Sequence, residues 1–191
     1  PTAELHLDEC PPDLDPAEQA SLRGHLALNR GLRRRSHEYL ADPGPEPHHR
    51  ARSVLLSLAD WDLAGMQAKV AALRADSPAD TATVEARILG LVADAACSGR
   101  MPALDITPDT AVNRQRLDMV HGWLALTFDD PLTARERLRH LPEQSPVIGM
   151  WQDAWLARTL YVLGEWTTAA SVVERGLATC ETHGMELLEP M

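Results

Sequence analysis

Eight histidines, three cysteines and one adjacent aspartate pair are the side chains of this 191-residue chain that could do acid–base, nucleophilic or metal chemistry. Their spacing argues against all three. A zinc site draws its ligands from short, fixed intervals. His37, His48 and His49 form no HExxH pattern and meet no cysteine at ligand spacing, so neither a metal nor a cofactor is expected. Cys10, Cys97 and Cys180 lie far apart with no CxxC; that pattern reads as free thiols in a reducing compartment rather than as a disulfide framework. Cys97, two residues before Gly99, could be a thiolate at a helix end, but a small buried apolar residue is the better reading. Asp129–Asp130 precede Pro131, where an aspartate caps the next helix rather than doing catalysis. His121 sits in an otherwise apolar stretch and reads as an interface residue. No GxSxG or other nucleophile signature occurs, so the chain is read as not an enzyme. The side chains that remain bind rather than react: five Trp, two Tyr and the arginines. Large amphipathic rings and guanidinium groups carry much of the energy of recognition.

Composition decides what must position them. Apolar residues make up 45% of the chain, mostly Ala and Leu, with a single Phe. Ala and Leu are strong helix formers, and β-branched and aromatic residues are too sparse to build a β-rich fold. The formal net charge of -10 disfavours direct contact of this segment with nucleic acid, which needs a basic face. Between Ser21 and Ser53, however, seven arginines stand against three acids. That run is read as a solvated helix face, or as a docking site for an acidic neighbour. The N-terminal residues lack a basic region followed by an apolar core. No apolar run approaches the roughly 20 residues of a membrane span, and a cytoplasmic location is expected. Pro1 at one end and Leu188–Glu189–Pro190–Met191 at the other, in what looks like an unfinished repeat, suggest a piece of a longer polypeptide.

Residues 1–14, rich in Pro and Asp, read as a loose arm; residues 15–191 read as one helical-repeat domain with hairpin turns near 60, 99, 130 and 165. Asp15–Pro16–Ala17–Glu18 is a helix start, with an N-cap, a first-turn proline and an early acid. That helix is expected to run to Leu40, burying Leu22, Leu26, Leu32 and Tyr39, until Asp42–Pro43–Gly44–Pro45 ends it. Near the other end, Leu163–Gly164–Glu165–Trp166 joins two amphipathic stretches. Gly164 suits the left-handed position that closes a helix, and Trp166 is expected to pack across the turn. Thirty-five residues separate Ala134 from Ala169, Gly122 from Ala157, Leu138 from Val173 and Asp118 from Asp153, and 105 separate Trp61 from Trp166. Pro108 breaks the helix expected after the turn at 99. A period of about 34 residues marks stacked helical hairpins, each of which buries its apolar face on its neighbours.

These residues resemble the tetratricopeptide family. Leu156–Ala157 and His121–Gly122 match its first helix, and Gly164 with Trp166 its turn. Ala169, Val173 and Gly176, and Ala134 and Leu138, match its second helix, whereas Arg52 stands where the family has a small residue. The resemblance implies an all-α stack of helical hairpins over about residues 45 to 185. It also implies a concave groove lined by Arg116, Met119 and Trp123 of one first helix, and by Trp151, Arg158 and Tyr161 of the next. The run from Leu163 to Gly184, followed by Leu187–Leu188–Glu189–Pro190, is similar to the repeats of LuxR/MalT-type bacterial transcriptional regulators, and the Ala-, Arg- and Asp-rich vocabulary suits an actinobacterium. That likeness implies a sensing segment that takes a small-molecule inducer, such as a sugar, or a protein partner, and whose self-association the ligand biases. No GxxxxGK[ST] loop is present, so the nucleotide-binding module of that family is not in this segment. The competing reading is an adaptor that holds a peptide in its groove.

Overall fold

The computed structural model describes residues 15–29, 32–41, 47–60, 62–76, 84–139, 145–183 and 185. The arm expected over residues 1–14, with Cys10, and the indole expected at position 61 lie outside them. The described residues form nine helices and no strand: α1 (Pro16–Asn29), α2 (Arg33–Leu40), α3 (Pro47–Ala59), α4 (Leu63–Asp76), α5 (Val84–Ser98), α6 (Ala111–Thr127), α7 (Pro131–Leu138), α8 (Pro146–Val162) and α9 (Trp166–His183). None of them is long and apolar enough to cross a membrane.

Local chemistry sets the boundaries. Thr110 accepts a hydrogen bond from the Asn113 amide at 3.1 Å and starts α6. Asp130 does the same for Thr133 at 3.1 Å and, with Pro131 behind it, starts α7. Gly164 ends α8 at φ 78° and Gly99 ends α5 at φ 63°, whereas Asp129 takes the left-handed position after α6 at φ 65°. An aspartate is among the few L-residues that tolerate it. The chain then reverses through a bond from an amide to the carbonyl five residues back: Leu32 to Ala27, Asp62 to Ser57, Asp130 to Ala125 and Glu165 to Leu160. These bonds satisfy carbonyls that a helix end would leave bare.

The hairpins are α1/α2, α3/α4, α6/α7 and α8/α9, with α5 unpaired between the second and third, and the helix that follows each of the first three hairpins packs on both of its helices. Thus α3 meets α1 and α2, α5 meets α3 and α4, and α8 meets α6 and α7. This is the all-α hairpin stack expected from the sequence. Two expectations need correction. The helix expected from Asp15 to Leu40 is two helices, α1 and α2, packed on each other as a further hairpin. Its buried positions are Ser21, Gly24, Ala27, Leu28, Ser36 and Leu40, while Leu22, Leu26, Leu32 and Tyr39 are half-buried. The turn at 99 opens no second helix: residues 101–108 have no regular secondary structure before the Thr110 cap, and Ile106 alone reaches the core from this segment. Pro102 and Pro108 lack backbone donors, so the segment cannot continue as a regular helix.

The turn bonds also fix the repeat register. Asp62, Asp130 and Glu165 are equivalent, which places the turn at Glu165 103 residues after the turn at Asp62. Trp166 itself is 68% exposed and does not pack across its turn.

One apolar cluster runs through α3 to α6, including Val54, Met66, Ile88 and Leu124; a second joins α6 to α9 through Ala134, Leu138, Leu156, Leu160 and Val172. Leu124 and Leu138 are fully buried, each worth roughly 1.5–3 kcal/mol of burial. Polar bridges stitch the hairpins. Gln152 donates to the Leu138 and Arg139 carbonyls at 3.3 and 3.4 Å and accepts from Gln115 at 3.5 Å. Asp153, nearly buried, is held bidentately by Arg175 at 2.9 and 2.6 Å. Its counterpart Asp118 meets Arg137 at 3.6 Å, so the repeated aspartates are carboxylates that tie first helix to second.

Candidate binding face

Helices α6 and α8, held parallel in register by the Gln115–Gln152 bridge, bring three of the large side chains together. Trp123 of α6 meets Trp155 of α8 edge to face, with ring centroids 6.3 Å apart and planes at 65°. Arg158, one turn beyond Trp155, lays its guanidinium carbon 4.6 Å from the centre of that ring. Both tryptophans are half-buried: Trp123 leans on the first apolar cluster and Trp155 on the second. Arg158 is exposed, and among the described residues its guanidinium has no carboxylate partner. Cation–π contact engages the guanidinium carbon, and among the described residues its N–H donors have no acceptor. Tyr161, three residues on, is 69% exposed.

The other expected groove residues are engaged differently. Arg116 is tied to Glu85 at 2.8 Å and to the Asn113 side chain, so its donors are spent within the fold. Met119 is partly buried against the first cluster, and Trp151 is half-buried on α8. Trp155 was not among the residues expected to line the groove. Its spacing of three residues to Arg158, one helical turn, was the available signal.

A second polar assembly, at the first hairpins, was not foreseen. His49, buried on α3, meets Glu18 of α1. Arg52 reaches Ser21 at 2.7 Å and Glu18 at 3.4 Å, which explains an arginine where the family pattern has a small residue. His25 lies near Glu85, Arg52 and Arg116; burial lowers its pKa, with the two arginines adding to the effect and Glu85 opposing it. Burial likewise lowers His121. Among the described residues the buried Nδ1 of His25 and Nε2 of His121 have no hydrogen-bond partner. Thus part of the arginine-rich run is interior wiring rather than solvated face.

The residues considered for chemistry have structural roles. Asp130 is a cap, and its bonds to Thr133 hold its carboxyl below the usual range. Cys97 is exposed, not buried as expected, and its thiol lies 3.5 Å from the Leu63 carbonyl. Cys180 is buried, which pushes its thiol up. His37 pairs with Asp60 at 2.8 Å. Among the described residues no group of three His, Cys, Asp or Glu is placed to hold a metal ion. No family model, no curated protein and no solved structure matches the chain significantly.

Proposed function

We propose that this chain is a binding module, the ligand- or partner-sensing helical-repeat segment of a cytoplasmic bacterial transcriptional regulator, without catalysis of its own. One observation carries the binding reading: an exposed Arg158 guanidinium lies over the Trp155 ring and, among the described residues, has no carboxylate partner. A guanidinium held in this way presents a ready fork to a carboxylate. The partner favoured by this geometry carries a carboxylate for Arg158, as an acidic peptide or an acidic sugar does. It also carries an apolar or planar group for the open face of Tyr161. The resemblance of the last hairpin to LuxR/MalT-type repeats supplies the regulatory setting. A ligand bridging α6 and α8 there would favour one hairpin arrangement over another and so transmit its presence.

The test is a titration of tryptophan emission with acidic and neutral peptides of equal length and with neutral and acidic sugars. Arg158→Ala should weaken any carboxylate ligand by about ten- to a hundredfold, the worth of a charge-assisted pair, and Trp155→Ala should do so as well. Tyr161→Ala should lower affinity without changing the preference for acids. Ligands that bind Arg158→Ala as tightly as the parent would remove the reading.

A further inference from the structure

The first hairpin is joined to its neighbour by a different chemistry from the later ones. α6/α7 meets α8 across a broad apolar cluster that includes Leu138, Leu156 and Leu160. Among the described residues neither large cluster takes a side chain from α1 or α2; the apolar group they share with α3 is Leu28, Leu40 and Leu56, with Leu55 beside it. Polar contacts complete the joint. Glu18 of α1 accepts from Arg52 of α3 at 3.4 Å and meets Nε2 of the buried His49, and Arg52 also donates to the buried Ser21 hydroxyl at 2.7 Å. His37 of α2 meets Asp60, just past the end of α3, at 2.8 Å. No continuous helix ties the hairpin to the rest, since α2 ends at Leu40 and α3 begins at Pro47. An element with few buried apolar contacts lies at the low-stability end of a fold and opens before the rest.

We infer that the face of α3 beneath α1 is a docking surface for an acidic amphipathic helix of another protein, and that α1 is the internal occupant such a helix displaces. His49, Arg52 and Leu56 follow at three and four residues on one face of α3. What α1 sets against them defines the partner. Glu18 supplies a carboxylate to His49 and Arg52, Ser21 a hydroxyl to Arg52, and Leu28 an apolar side chain to Leu56. Those three stand at i, i+3 and i+10, one face of a single helix. Charge selects the class. An apolar or basic helix laid there would leave the Arg52 guanidinium covered without a carboxylate, which is costly. An acidic one exchanges one charge-assisted pair for another. The gain comes from apolar side chains, of which α1 contributes Leu28 alone to the shared cluster and a partner helix can bring more. In its closed form the hairpin therefore masks the surface, and a partner gains access by competing with α1.

Fluorescence anisotropy of a labelled peptide of residues 15–29, the sequence of α1 with its cap, against the full chain tests this. The peptide should bind the chain carrying Glu18→Ala at least tenfold more tightly than the unaltered chain, whose own α1 competes. Glu18→Gln, the milder change, should act in the same direction, which keeps the test valid if the alanine disturbs the fold. A peptide with Glu18→Lys should bind at least tenfold more weakly, and Arg52→Ala in the chain should erase that preference. Hydrogen exchange supplies a second readout: in the Glu18 variants the amides of α1 and α2 should quicken at least tenfold while those of α8 and α9 hold. Arg158→Ala should change neither result, so that failure of this surface and failure of the ligand site remain distinguishable. Variants that open α1 and α2 yet bind no peptide show a purely structural joint and overturn the inference. So does exchange that quickens equally in every helix or stays unchanged. A Glu18 variant that dimerises by exchanging hairpins overturns it as well, since the occupant is then a second copy.

Discussion

Gly122 is the position where the stack's close packing can be turned into a measurable sign change. A methyl group added there would lie 2.6 Å from Cδ2 of Leu138, about an ångström inside ordinary contact. Leu138 has no exposed surface into which to move, and its carbonyl is held by Gln152. Overpacking of this kind costs about 1–3 kcal/mol. The clash at Leu138 belongs toward the upper end, whereas removing a mid-helix glycine returns about 1 kcal/mol of helix propensity. Gly122→Ala should therefore destabilise the chain by roughly 2 kcal/mol, or lower its melting temperature by about 4–8 °C for a protein of this size. Leu138→Ala alone should cost about 2–5 kcal/mol through lost burial and a cavity. In that background the added methyl meets space, and Gly122→Ala should become stabilising by about 1 kcal/mol. Urea unfolding followed by far-UV circular dichroism on the four proteins of the cycle gives the coupling directly. Gly176 is the internal control, because a methyl there meets only Asp153 Cβ at an ordinary 3.6 Å; Gly176→Ala should be neutral or stabilising. If Gly122→Ala costs the same with and without Leu138, the close approach of α6 and α7 is not what glycine serves there.

Arg175→Ala should destabilise by roughly 2–3 kcal/mol, the low side of the range for a broken buried pair because the arginine is part-exposed; a loss below that of Arg137→Ala, measured in the same urea series, would refute the role given to Asp153. Stability should fall on acidification because burial lowers His25 and His121 below their ordinary value of 6.5. The unfolded chain then binds protons that the folded chain refuses, so their contribution is present above that value and is lost as pH falls below it. In urea midpoints taken from neutral pH downward, His25→Gln should show a shallower decline than the parent, and an unchanged slope would sink the assignment. Asp130→Ala should lower stability through the lost cap, with hydrogen exchange quickening first in α7; uniform quickening would argue against a local role.

Much of the architecture was legible because local chemistry wrote it. Gly164, the Asp130–Pro131 pair and the repeated alanines each specify a backbone conformation or a close approach on their own, and the hairpins fell where those residues stand. The break between α1 and α2 was missed because the arginine-rich stretch there has no proline to announce it. Its signal was a pairing at longer range: Gly24 lies against Leu40 as Gly122 lies against Leu138, sixteen residues apart in both. A methyl on Gly24 would come within 2.5 Å of Leu40 Cγ, so the small–large pair marks one crossing point in both hairpins. Arg52 and His25 were opaque for a different reason. The carboxylates that act on them, Glu18 by contact and Glu85 by its charge, come from other helices, and no periodicity within one helix carries that information.

The exposures that went wrong share one physical cause. Periodicity says which residue type a position prefers, and in a stack each position is buried by the unit that follows it. Leu138 and Val173 occupy one position and are both apolar, yet the first is fully buried and the second about half open, because α8 lies over one and no described helix lies over the other. The same holds for Leu126 and Tyr161, which is why a tyrosine read as lining a groove stands in the open on α8. Burial in such a chain is a property of neighbouring pairs, and a sequence pattern fixes it only where both members of the pair are in view. Trp123 and Trp155 are such a pair: α6 and α8 bring the two rings together, and no spacing within either helix shows it.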